Sequence, residues 1–282
     1  MGRTQPVGAA IDFGISNIDA VARVEGELRR WTRASAGQPN LDLVRAILAD
    51  GGVEVASLRR LVVTGGRHRL LPDRIGDCVL VRVGEVEAIG RGGQALAELV
   101  EGDGATPVLV VSAGSGTAVV EARGDQYAHV TGTGVGGGTL LGLSRLLLHT
   151  TDPHEIDALA QQGDPNGADL SLADVVSGPI GQLPADATAV NFGRLARYDL
   201  AVSREDLAAA LVTLVGQTIA LIAINAARAQ QIERIVVTGH LIDMDSVRHA
   251  MKQVGDIYGR QITLPPDAGY GTVLGALLHG EG

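Results

Sequence analysis

Val108-Leu109-Val110-Val111-Ser112-Ala113-Gly114-Ser115-Gly116-Thr117 is an apolar run that breaks into a turn of glycines and small hydroxyl residues. The run reads as a buried strand. Glycine lacks a Cβ and tolerates φ > 0, so backbone N–H groups in the turn can converge on an anion. The pattern occurs twice more. Residues 7–12 read as a strand running into Asp12-Phe13-Gly14-Ile15-Ser16-Asn17, and residues 127–130 lead to Gly132-Thr133-Gly134-Val135-Gly136-Gly137-Gly138-Thr139. One such turn is common in any fold. Three, each carrying a small hydroxyl residue, imply a cleft for a polyphosphate, and hence a nucleotide-dependent phosphotransferase.

Outward from these turns, strands are expected at 20–24, 61–64, 119–120 and 235–237. Helices are expected at 41–48, 86–100, 139–149, 203–229, 245–254 and 270–278, with short helices and loops over 152–176. Ser203 with Asp206 three residues on resembles a capping box at the start of the longest helix, although Glu or Gln is the usual partner. The polar run Glu101-Gly102-Asp103-Gly104 marks a lobe boundary, dividing the chain into 1–104 and 105–282. Each half begins with a strand, a glycine turn with a hydroxyl residue and a return strand. That echo predicts an α/β, two-lobed fold with duplicated cores and a nucleotide between them.

Composition narrows the function. At 282 residues the chain can bury a large core, and aromatics at 2% leave that core to Leu, Val, Ile and Ala. A net charge of −9 and the lack of stacking aromatics argue against a nucleic-acid partner. Cys78 is the one cysteine, which excludes an internal disulfide and a Cys-rich zinc site. No pair of histidines has metal-ligand spacing. The N-terminus shows no secretory pattern. Residues 207–227 are apolar but contain Thr213, Gln217, Thr218 and Asn225, and read as a buried helix rather than a membrane span. A cytoplasmic protein with no membrane partner is expected.

Two phosphate-binding motifs can be weighed directly. Lys252 is the one lysine and follows Ala-Met, so neither a P-loop nor a protein-kinase strand lysine is present. Gly132, Gly134 and Gly137 satisfy the spacing of a dinucleotide turn, with Asp152 at the distance of a ribose-binding acid. Asp152, however, follows a helix with no strand leading to it.

Several segments come in the order seen in type II pantothenate kinases: Asp12-Phe13-Gly14, Thr64-Gly65-Gly66, residues 85–90, Gly114-Ser115-Gly116-Thr117 and residues 131–142. Asp169-Leu170-Ser171-Leu172-Ala173-Asp174, Asn191-Phe192-Gly193-Arg194 and residues 269–276 continue the series. The chain resembles that family from about residue 8 to residue 278. The resemblance implies two ribonuclease-H-like lobes of the sugar-kinase, actin and heat-shock chaperone superfamily, closing on ATP and Mg²⁺, in a homodimer. It implies phosphorylation of pantothenate toward coenzyme A.

By the same resemblance, Asp12 would hold magnesium through water and serve catalysis, and Glu85 would be the general base. Gly14 and Ser16 would meet the β/γ-phosphates, with Gly114, Ser115 and Gly116 facing them. Gly136, Gly137, Gly138, Thr139 and Leu140 would present a helix N-terminus to the nucleotide, and Gly239 and His240 would border the adenosine. Other readings stay open at several positions. Asp12 could be a turn former, Glu87 competes with Glu85, the 114–117 turn could be a plain hairpin, and His240 could be a surface histidine.

Departures from the family's pattern bear on the substrate. The first loop of the family reads Asp-x-Gly-Gly-Thr-x-x-Lys, but here Ile15 stands for a glycine, Ser16 for the threonine and Asp19 for the cation. His129 stands where an arginine would hold the pantothenate carboxylate, beside Thr131 and Gly132; histidine lacks the guanidinium fork. Arg67 or Arg91 could supply that charge. The alternatives are a kinase of another hydroxy acid or sugar, and a nucleotide-binding regulator without turnover.

Overall fold

Along β1 (Ala9–Phe13) side chains alternate between two cores: Ala9, Ile11 and Phe13 join one, and Ala10 the other. A strand buried on both faces belongs inside a sheet covered on both sides. The computed structural model describes residues 8–101, 106–176, 179–181, 183–197 and 201–281. In it β1 sits inside a six-stranded sheet, with β2 (Asn17–Val24) and β3 (Glu27–Ala34) as an antiparallel meander on one side. On the other side lie the parallel strands β4 (Arg60–Thr64) and β6 (Cys78–Arg82), edged by the two-residue β5 (Arg74–Ile75). Helix α1 (Leu41–Asp50), N-capped by Asn40, covers one face with Val44, Ile47 and Leu48.

The second sheet repeats this plan. β7 (Val108–Ala113), β8 (Thr117–Arg123) and β9 (Gln126–Thr133) form the meander, and β12 (Arg234–Thr238) and β13 (Ile262–Thr263) run parallel to β7. Helices α3 (Gly137–Leu147), α4 (Pro153–Ala160), α7 (Arg204–Gln230) and α8 (Asp245–Ile257) build the core on its outer face. α7 is long and apolar enough to cross a membrane, but Leu211, Val215, Ile219, Ala223 and Ile224 are fully buried in that core. Ser203 Oγ caps α7 by accepting the Asp206 N–H (3.0 Å), whereas the Asp206 carboxylate accepts the Asp164 N–H instead of completing a box.

Two helices lie between the sheets. α2 (Glu85–Glu101) packs on the second sheet through Ile89 and Ala97, and α9 (Gly271–Glu281) on the first through Val273, Ala276 and Leu277. They touch backbone to backbone: a Cβ on Gly92 would meet the Gly271 carbonyl, and one on Gly275 the Ala88 carbonyl. Each glycine costs a helix interior about 1 kcal/mol relative to alanine. Here the cost is offset by a close crossing that no side chain would permit. The C-terminal helix thus completes the first lobe, while α2 covers the second. The boundary expected at 104 lies outside the described residues.

A small excursion between α4 and α7 holds β10 (Leu170–Ser171), α5 (Leu172–Val176), β11 (Thr188–Val190) and α6 (Gly193–Arg197). Its anchor is Asp169, fully buried, whose carboxyl accepts the Phe192 N–H (2.7 Å) and the Thr188 hydroxyl (3.1 Å). Burial pushes the Asp169 carboxyl up, against the lowering effect of these donors. Asp174 accepts from Ser171 and pairs with Arg194 at 2.8 Å. Both motifs singled out around residues 169–174 and 191–194 therefore serve this knot.

Candidate active site

The duplicated plan places two equivalent turns face to face. β1 ends at Asp12-Phe13 before the 14–17 turn, and β7 ends at Ser112-Ala113 before the 114–116 turn. Asp12 lies beside Thr64 of β4, as Ser112 lies beside Thr238 of β12. Both of these neighbouring strands then turn at a glycine with positive φ, Gly65 at 89° and Gly239 at 99°, a region that disfavours side chains. The turns meet where Ser16 Oγ and Ser115 Oγ share a 2.7 Å hydrogen bond.

Between them opens a cleft of about 570 Å³ lined by both lobes. Of the residues expected at the site, Asp12, Gly14, Ser16, Glu85, Gly114, Ser115, Gly116, Gly137, Gly138, Leu140, Gly239 and His240 line it. Glu85 opens α2 toward the cleft, whereas the Glu87 carboxylate lies against Gly84, which separates the two competing acids.

The third glycine turn has a different task from the one expected. Gly137 and Gly138 donate their N–H groups to the carbonyls of Gly114 and Ser115, both at 2.8 Å. A Cβ on Gly136 would stand 2.8 Å from Gly116 Cα and from Ser115 O. The Thr139 hydroxyl donates to Gly134 O (2.9 Å), and Thr117 ties the same turn through Val135 O (2.8 Å). These N–H groups are spent within the protein, so the 136–139 segment braces the second turn. Gly136 and Thr139 are not among the cleft-lining residues. The dinucleotide reading fails on geometry as well. Gly132 lies in the antiparallel strand β9, and Asp152 caps α4 by accepting the His154 N–H.

The expected acceptor-binding residues do not converge on the cleft. His129 is exposed on β9, with Thr131 and Gly132 on the same strand. Arg67 borders a separate hollow of about 220 Å³ behind the first turn, with Phe13, Ile18 and Leu43. Arg91 stands 4.0 Å from Glu98 on α2. Sequence reasoning placed Asp19 in the first phosphate loop only as a lost cation, and gave no site role to Ile89, Pro153, Leu141, Leu241, Met244, Gly269 and Thr272, all of which line the cleft. Most are apolar or small, and their signal is spread across elements distant in sequence.

The electrostatics centre on Asp12. Burial, with Asp19 and Glu85 nearby, raises its carboxyl to about 7, and His240 pulls the other way. Asp19 is the cross-strand partner of Asp12 on β2 and is 8% exposed. His240 stands 3.0 Å through Nε2 from Asp19 Oδ1 and 2.7 Å through Nδ1 from Asp243 Oδ2. Burial alone would lower the imidazole, but hydrogen bonds to the two carboxyls outweigh it and raise His240 to about 10. Both ring nitrogens can donate only in the charged form.

Two duplicated sheets, with their strand–turn–strand units facing one another across a cleft that holds Asp12 and Glu85, define the fold. Solved structures agree on the fold. Component A of (R)-2-hydroxyglutaryl-CoA dehydratase from Acidaminococcus fermentans superposes with a TM-score of 0.63 at 17% identity, covering 98% of this chain and 97% of that one. A ROK family glucokinase from Streptomyces griseus, in complex with glucose and AMPPNP, gives 0.57 at 13%, covering 97% and 98%. The Fumble family model matches residues 91–278. The chain belongs to the Fumble family and is a phosphotransferase. A type II pantothenate kinase of Bacillus cereus (strain G9842) is 27% identical over 224 residues, covering 79% of this chain and 82% of that relative. Pantothenate kinase 1 of Oryza sativa subsp. japonica is 35% identical over 156 residues, covering 52% of this chain and 23% of the relative.

Proposed function

We propose that this enzyme transfers the γ-phosphoryl group of ATP to the primary hydroxyl of pantothenate. The observation that carries the mechanism is Glu85, at the mouth of α2 in the same cleft as Asp12 and the paired turns. Glu85 takes the hydroxyl proton as the acceptor oxygen bonds to the γ-phosphorus. The bond from that phosphorus to the β–γ bridging oxygen breaks, and ADP leaves. Gly114–Gly116 and Gly14–Ser16 hold the phosphates between the lobes, and the aliphatic Leu140, Leu141, Leu241 and Met244 enclose the base. Asp12 fits a divalent cation: its carboxyl is crowded by two other acids, and added positive charge would relieve that crowding. Asp12 would hold Mg²⁺, which when bound neutralises phosphate charge.

A second reading has its own observation. The cleft lining contains Asp12, Asp19, Glu85 and one imidazolium already paired, with neither Arg nor Lys among the described lining residues. This favours an acceptor whose recognised end is uncharged. ADP release by purified protein with Mg²⁺ and ATP tests both readings, using pantothenate and its uncharged, amide-capped analogue side by side. Release with pantothenate that falls by about 10²–10⁴-fold in Glu85→Gln, with ATP binding intact, supports the first. Turnover of the analogue alone selects the second.

A further inference from the structure

Asp19 and His240 belong to different lobes. Asp19 lies on β2 of the first sheet, and His240 follows β12 of the second. Around them the contact is built from both sides. Thr32 Oγ1 of β3 donates to Asp19 Oδ1 at 2.6 Å and stands 3.2 Å from the Tyr270 hydroxyl. The Tyr270 ring meets the His240 ring edge-on, with centroids 5.5 Å apart. Gly269 is packed so closely on the imidazole that a Cβ there would collide with it. Nearby, Arg30 of β3 pairs with Asp267 at 3.3 Å, a second link between the first sheet and the segment ahead of α9.

We propose that Asp19 and His240 form an interlobe clamp that fixes the closure of the cleft and positions the phosphate turns for transfer. Three observations carry this. Asp19 is buried, and its Oδ1 accepts from both a first-lobe hydroxyl and a second-lobe imidazole, so parting the lobes strips it of its cross-lobe partner. Asp243 holds the opposite ring nitrogen from within the same turn, which fixes the imidazole plane toward Asp19. Finally, the Ser16–Ser115 hydrogen bond spans the same cleft, so the gap between the phosphate turns is set by lobe closure. Asp19 and His240 are thus positioning residues, distinct from the proton acceptor.

The inference rests on the kinase reading for its kinetic consequences but not for its structural one. The test combines small-angle scattering of the ligand-free protein with ATP titration calorimetry and steady-state kinetics. Five variants are compared: Asp19→Asn, His240→Gln, the double variant, His240→Lys, and Asp243→Asn, which leaves the interlobe bond in place. The expected result is a larger radius of gyration in both clamp singles. ATP KM should rise at least tenfold, exceeding the fall in kcat, and the double variant should stay within about twofold of the worse single. Asp243→Asn should lose less than either, and His240→Lys, which keeps the charge, should recover part of the loss. Unchanged scattering in Asp19→Asn overturns the clamp, as do losses that multiply in the double variant. A parent protein without turnover would sink the kinase reading, while scattering would still decide the clamp.

Discussion

The two strand–turn–strand units at the cleft share a topology but not a chemistry. In the first, Asp12 and Asp19 are cross-strand partners at the turn; in the second, the equivalent pair is Ser112 and Ala118. The first turn carries the acids and is bordered by the exposed Ile15 (84% exposed). The second is neutral and is braced from behind by backbone hydrogen bonds from Gly137 and Gly138. Duplication therefore supplies a symmetric frame, and the side chains divide the labour. On the proposed mechanism, one half would handle cation and closure, and the other would present a braced phosphate cradle.

Erasing the difference should have the largest effect. Asp12→Ser gives the first unit the residue of the second. Its loss should lower kcat on the order of 10³-fold, as for removal of one preorganised electrostatic group. Fold and melting behaviour should be retained, because Ser is accommodated at the equivalent strand position. A variant with near-parental kcat in a Mg²⁺-dependent assay would show that the acidic half has no special role.

The rigid half can be broken from behind. Gly136→Ala pushes a Cβ against the backbone of Gly116 and Ser115. Overpacking against backbone costs about 2 kcal/mol, read in urea unfolding, and ATP affinity should fall roughly tenfold as the cradle shifts. Ile15→Ala, on the exposed tip of the other turn, should stay within about 0.5 kcal/mol of the parent. Equal losses in the two variants would mean that the second turn is no more rigid than the first.

Much of this frame was legible in the sequence because local patterns encode it. The apolar runs at β1, β4, β7 and β12 each end at a glycine or hydroxyl turn, and the long α7 has its Ser203 cap. β3 was missed: Glu-Leu-Arg-Arg-Trp-Thr-Arg-Ala is an edge strand with mostly exposed side chains, so it has no apolar alternation to read. β5, β10 and β13 are two residues each, too short for a period. The α2–α9 crossing was also invisible, since Gly92 and Gly275 lie far apart in sequence and each looks like a weak spot in a helix. At the site, Asp12, Glu85 and the glycine turns could be named from motif order. The bracing role of residues 136–139 could not, because it depends on which carbonyls lie opposite. Asp19 read as a lost cation, yet its partner stands 221 positions further on.

That partner supplies the smallest and most specific test of the asymmetry, since Ala118 in the second unit can hold no such ion pair. The folded His240 pKa of about 10 lies above its ordinary 6.5, so the folded state binds the proton more tightly than the unfolded state. The resulting stabilisation is complete below pH 6.5, shrinks as pH climbs, and is gone above about 10. Asp19 and Asp243 face the ring directly, with Asp12 near enough to feel its charge, Tyr270 against its edge and Thr32 bonded to the same Asp19 oxygen. Subtracting the pH–stability curve of His240→Gln from that of the parent removes titrations common to both. The difference should be about 1–2 kcal/mol at pH 6, only part of the coulombic gain because the pair is partly exposed, and should decay toward zero by pH 10. A difference that grows with pH would mean that the imidazole is held neutral and that the acidic half closes without it.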